Sequence, residues 1–145
     1  VPAFGTQGPA FARFSLSDAD TDGNDDLDLY VFDPTGAFVG SSGTPTSNEV
    51  VDVASPAPGN WLVVVHGFET DGPDARYTLS SWSFGLVDDR GNSTVSGPST
   101  ATLGGSANLS YGWSGLSAGT RYLGAVSHSD ASGILGLTLV DITAP

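Results

Sequence analysis

Cysteine, methionine and lysine are absent from the chain, and only two glutamates occur, Glu49 and Glu69. The missing cysteine excludes a disulfide framework and thiolate metal sites, although it does not exclude a secreted protein. No apolar run approaches the roughly 20 residues of a membrane-spanning helix. The only basic residues besides two histidines are four arginines, Arg13, Arg76, Arg90 and Arg121, against 16 acidic residues, for a net charge of −12. Phosphate backbones and anionic lipid surfaces are bound by basic stripes, so nucleic acid and an anionic membrane are excluded as partners.

Of those 16 acids, 16 − 2 = 14 are aspartates, and they stand beside 20 glycines and 9 prolines. Aspartate competes with the helical backbone for hydrogen bonds and favours turns and caps. This composition therefore belongs to strands and turns. A length of 145 residues allows one or two small domains. Starting at Val1, with neither an initiating Met nor a signal peptide, the sequence reads as an internal piece of a precursor.

The hydrophobic pattern has a period of two. Ala12, Phe14 and Leu16 alternate with Arg13 and Ser15, and Leu27, Leu29 and Val31 alternate with Asp28 and Tyr30. Trp61 to Val65 is an uninterrupted apolar run and predicts a central strand buried on both faces. Tyr77 and Leu79 continue the pattern toward Trp82 and Phe84. Turn signals separate the runs at 33–36, 56–60 and 71–74. Many short strands at this spacing predict an all-β, antiparallel, jelly-roll-like β-sandwich. The polar stretch 88–92 marks a boundary, giving a first domain over 1–88 and a smaller β segment over 89–145. About four strands in 55 residues make a thin core. The second segment is therefore expected to dock on the first or to be completed by another part of the parent protein.

The densest chemistry lies in residues 18–28, where six aspartates occupy eleven positions. Asp18, Asp20 and Asp22 alternate, Gly23 follows, and Asn24 and Asp26 complete the first nine positions of a calcium loop. The twelfth position departs from that loop, because Leu29 replaces the bidentate glutamate and Asp28 stands one residue early. The expected ligands are thus Asp18, Asp20, Asp22, Asn24, Asp26 and Asp28, and the expected ion is calcium. The plain alternative is a solvated acidic turn. Asp33, Asp52, Asp71 and Asp74 are candidates for a second cation site.

Residues 26–36 (Asp-Leu-Asp-Leu-Tyr-Val-Phe-Asp-Pro-Thr-Gly), then 57–65 and 75–79, together resemble the bacterial pre-peptidase C-terminal domain over roughly residues 10 to 84. The stretch 113–126 is similar to fibronectin type III-like tails of secreted subtilisin-like proteases. The resemblance implies a sandwich carried downstream of a protease catalytic domain, secreted and extracellular, often calcium-binding, with the parent catalytic domain as its partner. In some relatives it also implies collagen or another insoluble substrate as a partner.

No catalytic constellation is visible. His66 and His128 are the only histidines, and neither stands in a recognisable motif; they read as a strand-end and a loop residue. Gly112-Trp-Ser-Gly-Leu116 lacks the closing glycine of a nucleophile elbow, and the subtilisin serine signature is absent. Adjacent carboxylates at 25–26 or 88–89 point to opposite faces of a strand and do not converge on one bond. Trp61 and Tyr77 are expected in the core. Trp82 and Trp113, at expected strand ends, are the candidates for contact with a protein or polysaccharide substrate. The leading expectation is a non-catalytic, calcium-stabilised accessory domain, with a polymer-binding module as the alternative. A small enzyme and a metal-free spacer are the weaker readings.

Overall fold

In the computed structural model, which describes residues 9–86 and 88–145, the chain divides into two compact units, Val1–Leu86 and Val87–Pro145. The first unit is built from β1 (Phe11–Ser15), β2 (Asp26–Phe32), β3 (Phe38–Ser42), β4 (Val50–Ala54), β5 (Leu62–Glu69) and β6 (Ser80–Phe84). These strands form two antiparallel three-stranded sheets, ordered β4-β1-β6 and β3-β2-β5. Period-two alternation decides which side chains meet between them. Ala12, Phe14 and Leu16 from one side and Leu27, Leu29 and Val31 from the other are buried together, with Val51 and Val53 of β4. Each leucine, valine and phenylalanine among them contributes about 1.5–3 kcal/mol on leaving water. The fold is an antiparallel β-sandwich, and no α-helix occurs among the described residues.

The connections are held by side chains suited to turns. Asp33 accepts hydrogen bonds through Oδ1 from the Thr35 amide (2.8 Å), the Thr35 hydroxyl (2.6 Å) and the Ala37 amide (2.9 Å). The bonds hold its carboxyl below the ordinary carboxylate range, the Thr35 hydroxyl contributing most. Gly36 takes φ +86° to close this turn. On the outer face of β1, Arg13 grips Asp52 with a two-pronged contact of 2.6 and 2.8 Å, the planar fork that arginine presents to a carboxylate.

Two expectations need correcting here. The run 61–65 is not a central strand buried on both faces. β5 is an edge strand, and Leu62 and Val64 lie exposed while Val63 and Val65 turn inward against the core. The central strand is β2, whose alternate residues are acidic or aromatic. Tyr77 is not a core residue either: it is exposed and makes only an isolated bridge to Thr21 ahead of β6. Trp61 does pack against the core, with its indole N–H donating to the Ala57 carbonyl at 2.9 Å.

The second unit holds β7 (Ser93–Ser96), β8 (Ser110–Trp113), β9 (Arg121–Asp130) and β10 (Gly133–Thr143). They pair as two antiparallel ribbons, β7 with β8 and β9 with β10, the latter carrying a bulge between Ile134 and Gly136. Ile142 and Ala144 are its buried apolar side chains among the described residues. His128 lies within β9 rather than in a loop, its Nε2 2.7 Å from the Thr138 hydroxyl across the hairpin.

Candidate functional site

The aspartate loop joins β1 to β2 and begins with a single 3-10 turn, Asp18–Asp20. Its carboxylates reach in different directions, and those of Asp18, Asp22 and Asp25 each tie the loop to a distant segment. Asp18 accepts the Ser47 amide at 2.7 Å and the Asn48 side-chain amide at 2.6 Å. Asp22 accepts the Arg76 amide at 2.7 Å. Asp25, 4% exposed, accepts the Asp71 amide at 3.1 Å through Oδ1. Asp71 returns the contact by accepting the Asn24 amide at 2.9 Å. Asp20 holds the Thr78 amide with its carbonyl at 3.1 Å.

Gly23 stands at the expected turn position for a reason the calcium-loop pattern does not supply. A Cβ there would lie 2.5 Å from Asp71 Oδ2, so a larger residue would push that carboxylate away from the loop. Asp71, a second-site candidate in the sequence, is thus part of the loop. The expected ligand set left out Asp25, whose burial follows from its inward register two positions before Leu27.

Asp26 and Asp28 belong elsewhere. They alternate with Leu27 and Leu29 and so project from the outer face of the β3-β2-β5 sheet. There an open depression of about 490 Å³ is lined by Asp26, Asp28, Tyr30, Gly43, Phe68 and the residues flanking Gly43. Asp28 accepts the Tyr30 hydroxyl at 3.3 Å and faces His66 Nδ1 at 3.4 Å. The Asp28 charge raises the Tyr30 pKa above its ordinary value. Burial lifts the Asp26 carboxyl above the usual range, reinforced by the negative charges of Asp28, Glu49, Glu69 and Asp18. Glu49, fully buried behind this rim, accepts hydrogen bonds from the Ser42 hydroxyl and from the amide and hydroxyl of Thr44, each at 2.7 Å for Thr44.

Among the described residues, no three carboxylate or histidine side chains are gathered closely enough to hold a metal ion as they stand. Two buried carboxylate oxygens nevertheless have no hydrogen-bond donor: Asp25 Oδ2 at the loop and Asp26 Oδ1 on the sheet face. A buried acceptor without a partner carries the cost of its lost hydration, and a cation is one group that removes it. The two tryptophans expected to contact substrate fall in different units. Trp82 is half-buried in the middle of β6, and Trp113 is exposed at the end of β8 beside Tyr111, ring centroids 6.2 Å apart.

Comparison with known proteins places residues 7–67 in a match to the family model of the bacterial pre-peptidase C-terminal domain. Over 71 residues, 48% of this chain, the sequence is 37% identical to pyrolysin of Pyrococcus furiosus, and the chain spans about 5% of that protein. No solved structure matches.

Proposed function

We propose that the first unit is a non-catalytic accessory domain of a secreted subtilisin-like serine protease, acting outside the cell and stapled by calcium at its aspartate loop. The observation that carries this reading is the match of residues 7–67 to the pre-peptidase C-terminal family together with the pyrolysin likeness over 71 residues. The fibronectin-like stretch at 113–126 belongs to the same reading, as the tail of such a precursor. Its partner is then the parent catalytic domain, which the accessory domain stabilises or brings to substrate. What speaks for a hard cation is the donor set: oxygen ligands only, and one of them, Asp25 Oδ2, buried and without a donor. Asp20, Asp22, Asp25 and Asp71 would hold the ion, with Asp18 bracing the loop against 47–48. Asp26 and Asp28 leave the expected ligand set, because their side chains serve the sheet face.

An ion that binds only the folded chain stabilises it by RT ln(1 + [L]/Kd), about 4 kcal/mol for a micromolar site at millimolar calcium. The test is a thermal melt of the full chain in EDTA and in millimolar calcium. The expected result is a rise of several degrees that Asp25→Asn removes and Asp26→Asn keeps. An unchanged melt rejects the staple. The accessory role has its own test in the parent protease with and without this segment. Its half-life at elevated temperature should shorten on deletion, with kcat/KM on a short peptide unchanged; a collapse of kcat/KM would reject a non-catalytic role.

A further inference from the structure

We infer that the outer face of the β3-β2-β5 sheet is a docking surface for a basic polypeptide segment. A lysine or arginine of that segment enters the depression over Asp26 and Asp28, and its apolar neighbours lie on the side chains beside it.

The face has two parts that the strand register sets side by side. Phe32 pairs with Phe38 on one flank and Leu62 on the other, and Tyr30 pairs with Val64, so these side chains share the outer face. Phe38 and Leu62 are both 58% exposed and Phe68 is 67% exposed, a concentration of apolar surface that a monomer's solvent-facing sheet seldom carries. At the end of this stripe the depression has carboxylates in its floor and the Tyr30 and Phe68 rings in its wall. Carboxylates give a cation charge-assisted hydrogen bonds, and aromatic faces attract it through their quadrupoles. One floor oxygen, Asp26 Oδ1, is buried and has no donor.

The chain supplies no arginine or lysine here. Arg13 pairs with Asp52, Arg76 with Asp22, Arg90 with Asp88 and Arg121 with Asp141, and there is no lysine. The cation therefore comes from another molecule or from chain outside this sequence. A second copy is a poor occupant, because two chains of net charge −12 repel. A bare metal ion gains nothing from Phe38, Leu62 and Phe68, whereas a polypeptide buries them while its basic side chain meets the carboxylates. Such complementarity, an apolar anchor beside a charged pocket, is how interfaces combine affinity with specificity.

The test uses the full 145-residue chain in an amide chemical-shift titration with the peptide Ac-Gly-Phe-Lys-Leu-Gly-amide and with the same peptide acetylated on its lysine. The expected result is saturable shifts at Tyr30, Gly43 and Phe68, weakened by salt and lost on acetylation. Asp26→Asn should weaken binding roughly tenfold, the worth of one charge-assisted contact. Phe68→Ser should weaken it several-fold, and Leu135→Ser, an equally exposed residue of the second unit, should leave it unchanged. Four outcomes of the peptide titration would overturn the proposal. They are no shifts up to millimolar peptide, equal binding of the acetylated peptide, shifts confined to other residues, and calcium alone producing the same shifts while excluding the peptide. Concentration-dependent shifts at the face without peptide would instead assign it to self-association and overturn it equally.

Discussion

The two units use the same vocabulary of short antiparallel strands and bury very different amounts with it. In the first, two three-stranded sheets press their inner faces together, so Leu29 and Val31 are fully buried and Ala12, Leu16 and Leu27 nearly so. In the second, strands of ten and eleven residues form a longer ladder than any in the first unit, yet Ile134, Leu135, Val95 and Leu109 remain exposed. Ladder length supplies backbone hydrogen bonds, and those contribute little net stability, because water satisfies the same groups in the unfolded chain. Burial needs a second layer.

That contrast can be broken most sharply by cutting equal side chains from each unit. Leu29→Ala should destabilise the first unit by about 2–5 kcal/mol, while Leu135→Ala should stay within about 0.5 kcal/mol, both read by urea denaturation. Equal effects would mean that the second unit carries a core of its own. Native-state hydrogen exchange sharpens the comparison: β1 and β2 amides should open only with global unfolding, and β7 and β8 amides far sooner. Next in size is Glu49→Ala, which removes a fully buried acceptor from the Ser42 hydroxyl and from the Thr44 amide and hydroxyl and should cost about 3 kcal/mol. The exposed counterpart is Asp130, which accepts the Ser132 amide at 2.7 Å in the β9–β10 turn; Asp130→Ala should loosen that turn and leave the first unit's melt unmoved.

The smallest expected effects are those of single surface titrations, and they have opposite signs. Asp33 and Asp130 have carboxyls held below the ordinary value of 3.8, so their contribution is present above that pH and lost as pH falls through their folded values. Asp26 is raised above 3.8; its favourable protonated form is lost as pH rises through its folded value. Asp26→Asn should therefore raise the first unit's melting temperature at neutral pH, with the gain vanishing below about pH 3.8. A gain that persists in acid would locate the effect in packing rather than charge.

Much of the first unit's core was legible in the sequence, because β1 and β2 alternate cleanly and alternation maps one to one onto faces. The turn at 33–36 was legible because Asp33 and Gly36 each have a specific geometric task there. The apolar run 61–65 misled for a physical reason. Continuous hydrophobicity says that both faces avoid water, but it does not say that the fold supplies cover for both, and β5 lies at a sheet edge. The aspartate pattern marked a segment rich in oxygen donors, and Asp18, Asp22 and Asp25 do accept hydrogen bonds from distant backbone amides there. Its linear spacing could not reveal that Asp26 and Asp28 leave the loop with the strand, nor that Asp71 arrives from 47 positions beyond Asn24. Those facts depend on register and on long-range contact, which no local pattern contains.

The bonds of the aspartate loop also set an order of assembly. Asp18 meets Ser47 across 29 residues, Asp25 meets Asp71 across 46 and Asp22 meets Arg76 across 54. The β2–β3 hairpin closes through five intervening residues. Closing entropy grows with the span, and non-local contacts slow the search. The hairpin is thus the early event in refolding. The loop end is the late one, the last part of the first unit to gain its shape and the first to return to the pool of conformations from which it came.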